Sequence, residues 1–436
     1  MSTPMDKMRT HQSDQLDRVD PGEKVRVAGW VESVRHLGSL VFIMLRDSTG
    51  LSQLIAKKGS TPADTYNEAK GLTSQSCIMC EGTIQTSKAK DHNVEVSLER
   101  LIILSHALHP LPLDMKGNID SGLDVRLDAR ALDLRNPVNT AIFRIRHHAL
   151  QSIRRTLIEK GFFEVNTSRI ISQAAEGGST LFTVDYFGKK AYLAQSPQLY
   201  KEQLTLSLEK VFEVGTFFRA EKSHTTRHLN EFTSIDVEAA FLNDYDVMKT
   251  CELIVSKCLE DVSVECKKDL MTLGVNLRTP QTPFDVITYK EVINDLQSLG
   301  ETIDEKSDLT DRHLSTLGTK HKSFYFITEW PESLKPFYIA EKDGSGISRS
   351  FDLQCGMLEL ASGGMRIHSR ELLERRLERA GLTSENFSSH LRTFDWGMPP
   401  HSGWGLGFDR LMMILTGKRN IRDVVLFPRD EFRLMP

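Results

Sequence analysis

The sequence predicts an α+β protein in which a small β-barrel precedes a larger domain built on an antiparallel sheet flanked by helices. Three observations support this fold class. The first hundred residues contain short β-prone runs separated by turn residues. From about residue 139, strand-like runs alternate with helical segments and are too hairpin-like for a doubly wound parallel sheet. The length of 436 residues provides for two or three domains.

The predicted barrel starts at Val25. Its strand-like runs read VRVAGWVESV, LVFIMLR, LSQLIA, SCIMCEGTI and NVEVSLERLIIL, with a helix-compatible stretch, TPADTYNEAKGL, before the fourth. This order is typical of a five-stranded barrel of the OB type, which often binds single-stranded nucleic acid. Any small all-β domain gives a similar pattern, so periodicity alone leaves that alternative open. We assign residues 1–104 to the barrel.

A linker and a long helix are expected next. Residues 105–133 contain the extended segment PLPLD and lack a sustained apolar period, which indicates a hinge or linker. From about Asn139, apolar residues recur at helical spacing as far as Leu157, and Lys160-Gly161 ends the run. We assign residues 134–436 to the second domain.

Charge and composition exclude several classes of protein. The chain has 55 Lys and Arg against 59 Asp and Glu, a net charge of −4 that weakly disfavours a polyanionic partner. No apolar run approaches the ~18 residues of a membrane span, and the polar N-terminus lacks the apolar centre of a secretory signal. Six cysteines without a regular framework fit a reducing compartment. We therefore expect a cytoplasmic protein that does not enter a membrane.

The densest group of charged residues lies at 218–232, between two strand-like runs. A hairpin here would project Arg219 from a strand and hold Arg227 and His228 on its loop, where their cations could converge on phosphates. The alternative is a solvated loop with surface ion pairs. The buried strands on both sides make that alternative weaker, because charges at strand ends need partners.

Two further segments carry candidate chemistry. Three alternating glycines in GWGLGFDRL let a flat ligand approach the backbone, and Arg410 follows at the start of a helical run, although glycine also serves plain sheet packing. In the run SFDLQCGMLELA, Asp352 and Glu359 are carboxylates of the kind that Mg²⁺ binds. If the segment is one strand, they lie on opposite faces unless a bulge intervenes.

Taken together, these segments resemble the class II aminoacyl-tRNA synthetases, and specifically the aspartyl branch of archaeal type. FRAE followed by TRHLNEF is similar to motif 2 of the class, and GWGLGFDRL followed by NIRDVVLFPRD is similar to motif 3. The stretches GGSTLFTVDYFGKKAYLAQSPQLYKEQL and LELASGGMRIH are closer to the aspartyl branch than to its nearest relatives. The resemblance extends over nearly the whole chain.

The resemblance implies an ATP site, with roughly two or three Mg²⁺ ions accompanying the nucleotide. Arg219 would hold the α-phosphate, Arg227 and His228 the β- and γ-phosphates, and Phe232 and Arg410 the two faces of adenine. The implied catalytic residues are Arg219, Glu221 and Arg410. The implied ATP-binding set adds Glu221, Leu229, Glu359 and Gly407, and the implied metal ligands are Asp352, Glu359 and Ser362.

The resemblance also implies an aspartate site and an anticodon site. Lys201 and Arg366 would clamp the side-chain carboxylate of L-aspartate, since a carboxamide would leave two desolvated cations unpaired. The other implied aspartate contacts are Glu176, Gln195, Gln198, Asp236 and Ser362. Glu176 would belong to a loop that closes over the substrate. In the barrel, Arg35, Phe42 and Gln53 would stack on and hydrogen-bond the anticodon of tRNA(Asp).

The chain departs from the class pattern at Ser168, where proline is usual in a dimer-interface motif, and at Asp409, where glutamate is usual. A homodimer is still expected. Three alternatives to a tRNA(Asp)-specific enzyme remain. An asparaginyl enzyme is disfavoured by Lys201, and a non-catalytic paralogue by the presence of Lys201, Arg219 and Arg410. An enzyme that also charges tRNA(Asn) stays open, because residues near Glu32 and Ser87-Lys88 fit neither pattern for the third anticodon base.

Overall fold

A computed structural model describes residues 8–87, 93–115, 119–172, 181–222 and 225–435 of the chain. The chain divides into two compact units, residues 1–112 and 113–436. None of the helices within the described ranges has the length and apolar character needed to cross a bilayer. All six cysteines are free thiols.

The first unit is a closed five-stranded barrel with strand order β1-β2-β3-β5-β4. Its elements are β1 (Lys24–Leu37), β2 (Leu40–Arg46), β3 (Leu51–Lys57), α1 (Ala63–Gly71), β4 (Cys77–Thr86) and β5 (Val94–Ser105), preceded by a 3₁₀ helix at Ser13–Arg18. On β2, the side chains of Val41, Ile43 and Leu45 fill the barrel, because successive residues of a strand face opposite sides. This confirms the predicted order of three strands, one helix and two strands.

The second unit contains the helices α2 (Leu123–Asp128), α3 (Arg130–Asp133), α4 (Pro137–Glu159), α5 (Gln198–Leu208), α6 (Asp244–Glu265), α7 (Lys267–Leu273), α8 (Tyr289–Ser298), α9 (Asp311–Lys320), α10 (Arg370–Arg379), α11 (Ser388–Phe394) and α12 (Phe408–Thr416). Its strands are β6 (Phe163–Glu164), β7 (Ile170–Ile171), β8 (Thr183–Tyr186), β9 (Lys189–Leu193), β10 (Lys210–Phe218), β11 (Glu231–Ala240), β12 (Asp285–Thr288), β13 (Phe324–Thr328), β14 (Ser350–Cys355), β15 (Leu358–Met365) and β16 (His401–Gly407). Short 3₁₀ helices lie at Glu332–Leu334, Ser384–Phe387 and Ile421–Asp423.

Eight of these strands form one sheet in the order β12-β13-β14-β15-β16-β11-β10-β6. The pairs at the two ends are parallel, and those between them are antiparallel. Helices α4, α6 and α12 pack over one face, where residues such as Ile235, Val237 and Trp404 form the core. The predicted α+β class, with a largely antiparallel sheet flanked by helices, is confirmed. Strands β7, β9 and β8 form a separate small sheet.

The long helix predicted from Asn139 begins two residues earlier, at Pro137 of α4. Asn136 precedes it, and the Asn136 side chain accepts a hydrogen bond from the amide of Val138, which caps the helix. The segment predicted as a linker contains α2 and α3, and the side chain of Arg130 is buried there. Arg130 donates to the carbonyls of Val425 and Leu426, so α3 packs within the second unit.

Candidate active site

The face of the large sheet opposite the helical core is polar. Along β11, Ile235, Val237 and Ala239 point into the core, so Ser234, Asp236 and Glu238 point to the other side. On β16 the same alternation sends Trp404 and Leu406 into the core and the glycines Gly403, Gly405 and Gly407 to the polar face. A cleft of about 290 Å³ lies over this face, between α5 and the β10–β11 hairpin.

Most of the predicted site residues line this one cleft. They are Gln195, Gln198, Lys201, Arg219, Glu221, Arg227, His228, Leu229, Phe232, Asp236, Glu359, Ser362, Arg366, Gly407 and Arg410. Asp352 lies just behind the cleft, where Oδ2 accepts a hydrogen bond from Lys335, which lines it (2.6 Å). Glu176 lies outside the described residues, as does Lys88 of the barrel. Segments more than two hundred residues apart therefore meet at a single site.

We call the part of the cleft formed by Gln198, Lys201, Asp236 and Arg366 the α5 end. Lys201 Nζ lies 3.2 Å from Asp236 Oδ1 and 3.5 Å from Glu238 Oε2. These charged side chains are at most 4% exposed. The α5 end therefore contains fully desolvated ions whose partners are already in place.

Arg366 completes the α5 end with a two-point contact. Its Nε donates to Glu238 Oε1 (3.0 Å) and its Nη2 to Glu238 Oε2 (3.2 Å). The burial of Arg366 lowers the pKa of its guanidinium, but Glu238, Tyr338 and Glu202 together raise that pKa by more, so the group stays a cation. Two buried cations held by protein carboxylates can recognise a small acidic group that enters between them.

The other part of the cleft is the hairpin end, formed by Arg219, Arg227, His228, Phe232 and Arg410. The hairpin predicted at 218–232 is present, since β10 pairs with β11 in register from Lys210 opposite Ala239 to Phe218 opposite Glu231. The Arg219 guanidinium lies 5.4 Å from the centre of the Phe232 ring. The hairpin end therefore carries three guanidinium groups and an aromatic face.

The position of Arg410 is held by two acceptors. Its Nη1 donates to the carbonyl of Glu359 (2.9 Å), and its Nη2 donates to Nε2 of His228 (3.3 Å). Since Nε2 of His228 accepts the hydrogen bond from Arg410, the ring proton of His228 is on Nδ1. This Nδ1 donates to Thr225 Oγ1. Burial and the neighbouring Arg410 lower the pKa of His228, so the ring is neutral at neutral pH.

Asp352 and Glu359 lie on different strands, which corrects the expectation of one continuous strand. A turn at Gly356-Met357 separates β14 from β15, and Asp352 is paired with Ser362 across that hairpin. Asp352 Oδ1 is buried and receives no hydrogen bond from any described residue. Burial and the charge of Asp352 raise the pKa of Glu359. An unsatisfied carboxylate oxygen, a second carboxylate and a hydroxyl are the hard oxygen ligands that suit Mg²⁺.

The glycines of β16 serve two purposes. A Cβ on Gly403 would lie 2.1 Å from the carbonyl oxygen of Val237 and 2.3 Å from Glu238, so Gly403 lets the strand pack closely against these groups. Gly405 and Gly407 line the cleft itself. Plain sheet packing thus explains the first glycine, and ligand access remains the prediction for the other two.

Asp409, the departure from the usual glutamate, connects three elements. Its Oδ1 accepts from Arg146 of α4 (2.6 Å), and its Oδ2 accepts from the amide of Thr233 on β11 (2.8 Å). Asp409 is 2% exposed, so the shorter acid fits a closed site. It holds the first turn of α12, and with it Arg410, against the sheet.

The sequence analysis missed two residues of this site. Glu238 bridges Lys201 and Arg366, and a signal for it existed, because polar residues occupy every second position of the otherwise buried strand β11. Lys335 holds Asp352 and lies 3.8 Å from the Trp330 ring centre. It follows an irregular segment without periodicity, so no pattern pointed to it.

In the barrel, the three predicted anticodon residues lie on the outer side. Phe42 alternates with the core residues Val41 and Ile43 and is half-buried. Arg35 is its direct partner across β1 and β2, and it is exposed. Gln53 on β3 donates from Nε2 to Glu95 (2.5 Å). The side chain of Phe42 is therefore on the outside of the barrel, which a stacking platform for a base requires.

Comparisons with known proteins agree with this architecture. Residues 122–431 match the family of class II tRNA synthetases (D, K and N), and residues 25–104 match the OB-fold nucleic acid binding domain. An aspartate–tRNA(Asp/Asn) ligase of Methanopyrus kandleri is 46% identical, covering 95% of this chain and 96% of its own length. Its counterpart in Methanothermobacter thermautotrophicus is 42% identical and covers 99% of each chain.

Solved structures show the same fold. The asparaginyl-tRNA synthetase of Pyrococcus horikoshii, complexed with asparaginyl-adenylate, superposes with a TM-score of 0.90 at 32% identity, covering 95% of this chain and 97% of that one. The aspartyl-tRNA synthetase of Entamoeba histolytica gives a TM-score of 0.85 at 28% identity, covering 100% and 96%. The chain belongs to the class II tRNA synthetases of the D, K and N group, and within it to the aspartyl-tRNA synthetases of archaeal type.

Proposed function

We propose that this chain is an aspartate–tRNA ligase, which activates L-aspartate with ATP and transfers it to the 3′ end of tRNA(Asp). The observation that carries the proposal is the buried cation pair Lys201 and Arg366, at one end of a cleft whose other end holds three arginines. The near full-length relatives named as aspartate–tRNA(Asp/Asn) ligases support the same activity.

Lys201 and Arg366 would select the substrate by charge. Both are at most 3% exposed, so neither can find water when its partner is lost. The side-chain carboxylate of aspartate would bind between them, whereas the carboxamide of asparagine would leave desolvated donors partly unpaired. Such a mismatch costs several kcal/mol, which suffices for discrimination without editing. Glu176, Gln195, Gln198 and Asp236 would surround the α-ammonium group.

The hairpin end would hold ATP. Arg219 would contact the α-phosphate, and Arg227 would contact the terminal phosphates with help from His228. Phe232 and Arg410 would enclose the adenine ring, and Glu221, Leu229 and Gly407 would complete the ATP contacts. The three guanidinium groups that line this end of the cleft support binding of a polyanion. The α5 end would then direct the amino acid toward the α-phosphate.

The chemistry needs no nucleophile from the protein. An oxygen of the aspartate α-carboxylate attacks the α-phosphorus, a new P–O bond forms, and the bond to the bridging oxygen breaks to release pyrophosphate. Arg219 offsets the charge that develops on the α-phosphate, so positioning and electrostatic stabilisation supply the rate. A hydroxyl of the terminal tRNA adenosine then attacks the aspartyl carbonyl, and AMP leaves.

Asp352, Glu359 and Ser362 would hold Mg²⁺ when ATP is bound. Mg²⁺ supplies neutralisation of the phosphate charge. Lys335, which donates to Asp352, keeps that carboxylate directed toward the site. The unsatisfied Oδ1 of Asp352 supports this assignment.

The barrel, residues 1–104, would bind the anticodon through Phe42 as a stacking platform, with Arg35 and Gln53 beside it.

A second candidate function is charging of tRNA(Asn) as well, and the names of the relatives favour it. Glu32, near which the third anticodon base would be read, is paired with Arg46 (2.9 Å from Nε). We place the enzyme in the cytoplasm, where its tRNA substrates are.

A homodimer is part of the proposal. Thr167 and Arg169 are both anchored on the buried Glu213, so the exposed Ser168 between them has a fixed backbone. The exposed apolar side chains of Phe163 and Ile170 flank this segment and support an interface there.

Charging assays test the proposal. Purified enzyme, ATP and labelled L-aspartate are incubated with tRNA transcripts that carry the aspartate or the asparagine anticodon in otherwise matched bodies. Aspartylation of the first transcript is expected, and the ratio of the two rates decides the second candidate. Charging with labelled asparagine but not aspartate would contradict the proposal.

A further inference from the structure

A cluster of three ionisable side chains lies behind the α5 end of the cleft. We call it the Glu202 cluster, and it consists of Glu202 on α5, His390 on α11 and His401 on β16. All three are at most 1% exposed. The reaction steps described above use none of them, although they touch residues that line the cleft.

Hydrogen-bond partners fix the donor and acceptor roles at Glu202 Oε1 and His390 Nδ1. A carboxylate only accepts, so the 2.6 Å contact at Glu202 Oε1 is a hydrogen bond donated by Gln198 Nε2. The side-chain amide nitrogen of Gln203 lies 3.4 Å from Nδ1 of His390 and donates to it. The proton of His390 is therefore on Nε2, which lies 3.2 Å from Glu202 Oε2.

The surroundings of His401 favour a ring that is protonated on both nitrogens. Its Nδ1 lies 2.8 Å from the carbonyl oxygen of Pro399, which can only accept. Its Nε2 lies 3.7 Å from Glu202 Oε2, which is beyond hydrogen-bond distance but within ion-pair distance of this buried carboxylate. Burial lowers the pKa of His401, but Glu202, Glu238 and the Pro399 carbonyl raise it by more. Burial raises the pKa of Glu202, and the two histidines hold it well below its usual range.

Both ends of the cluster reach the substrate pocket. Because Glu202 fixes the amide nitrogen of Gln198, the amide oxygen of Gln198 is turned toward Arg366 and lies 3.5 Å from Nη2. On the other side, the carbonyl of His401 accepts from the backbone amide of Arg366 (2.9 Å). An oxygen at this position of Gln198 is what an incoming ammonium group needs, and a flipped amide would present the wrong atom.

We propose that the Glu202 cluster is a positioning unit for the amino-acid pocket. The positive charge of His401 keeps Glu202 ionised, and the cluster in turn orients Gln198 and Arg366. The inference deepens the proposed aspartate specificity and rests on it. Glu202, His390 and His401 are positioning residues, since they act through Gln198 and Arg366 and do not touch the substrate.

The proposal predicts a pH dependence with a definite sign. The charged groups around His401 are Lys201 and Glu202 on α5, Glu238 on β11, His390 on α11, and Arg366 and His368 after β15. Since the pKa of His401 is raised, its charge persists to a higher pH than that of an ordinary histidine and is lost as the pH rises through that pKa. Loss of the charge leaves Glu202 buried without its cation, and aspartate binding weakens on the alkaline side.

Aspartate-dependent ATP–pyrophosphate exchange, measured between about pH 6 and pH 9, tests the proposal on full-length enzyme. In wild type, KM for aspartate should rise toward alkaline pH. Glu202→Gln should raise that KM about tenfold at neutral pH and remove the alkaline rise, while kcat and KM for ATP stay within about twofold. Glu202→Asp keeps the charge and should retain the rise. The control is Glu252→Gln, since Glu252 also accepts a hydrogen bond from an amide, in its case the backbone amide of Phe284, outside the pocket.

The outcomes separate the two proposals. Absence of exchange with aspartate in wild type would contradict the proposed function itself. Normal exchange in wild type, with the same aspartate KM and pH profile in Glu202→Gln, would overturn the positioning proposal alone. If thermal melting shows that Glu202→Gln does not fold, the test uses wild type and Glu202→Asp instead. An aspartate KM that stays constant up to about pH 9 in both would overturn the positioning proposal.

Discussion

The two ends of the cleft hold their charges in opposite ways. At the α5 end, Lys201 and Arg366 are at most 3% exposed and are paired with Asp236 and Glu238. At the hairpin end, the guanidinium of Arg227 is held by the exposed Asp311. A rigid, balanced pocket suits a small zwitterion with one extra carboxylate, whereas a surplus of cations suits a flexible polyanion. Under the proposed function, amino-acid choice would be built into the fold at the α5 end, and bound nucleotide would complete the hairpin end.

The largest effect is expected from removal of a buried cation at the α5 end. Arg366→Ala should reduce aspartate-dependent pyrophosphate exchange at least about 10³-fold, equivalent to roughly 4 kcal/mol, because Glu238 would repel the substrate carboxylate. ATP binding, measured by calorimetry, should survive. Arg349→Ala is the matched control, since Arg349 pairs with Asp244 away from this cleft. Near-normal exchange in Arg366→Ala, with a folded control, would contradict the aspartate clamp.

A smaller effect is expected at the hairpin end. Arg219→Ala should lower kcat/KM for ATP about 10²-fold, because one phosphate contact and its charge are lost while the other arginines remain. The affinity for aspartate alone should not change, and the two ends would then be shown to act separately. Arg312→Ala, which alters an exposed ion pair with Glu301, should behave as wild type. An equal loss of aspartate affinity in Arg219→Ala would refute this separation.

The carboxylates of Asp352 and Glu359 should make the Mg²⁺ requirement depend on pH. Burial and the charge of Asp352 raise the pKa of Glu359. As the pH falls, Glu359 therefore becomes protonated earlier, at a higher pH, than an ordinary glutamate does. Below that pKa the ionised fraction falls about tenfold per pH unit, and half-saturating Mg²⁺ should rise accordingly. Glu359→Gln should bind Mg²⁺ weakly and show no such slope, while the exposed Glu385→Gln keeps it. An identical slope in Glu359→Gln would assign the titration to another group.

The smallest effect is expected in the barrel, outside both ends of the cleft. Phe42→Ala should raise KM for tRNA about tenfold, since stacking of a base is worth roughly 1–3 kcal/mol. Exchange without tRNA should be unchanged. Leu104→Ala, which changes an exposed apolar side chain elsewhere in the barrel, should leave both measurements unaltered. A drop in tRNA-independent exchange would show that the Phe42 substitution disturbs more than anticodon contact.

Sequence patterns predicted elements better than they predicted which side chains meet. The barrel order and the β10–β11 hairpin follow from β-prone runs and turn residues, which are local properties. The strand β16 was not predicted as a strand, because three of its seven residues are glycines. At Gly403 the reason is tertiary, since a side chain there would collide with Val237 and Glu238. Asp352 and Glu359 were placed on one strand because periodicity does not reveal the turn between them.

The sequence by itself determined the fold class, the order of the motifs and the residue types available for phosphate and carboxylate recognition, because these depend on local propensity and on order along the chain. Only the tertiary structure decided that Glu238 joins Lys201 to Arg366. It also decided that Glu202 lies within ion-pair distance of His390 and His401 behind Gln198. Those contacts join α5, β11, α11 and β16, and their energies depend on burial and distance, which no one-dimensional pattern contains.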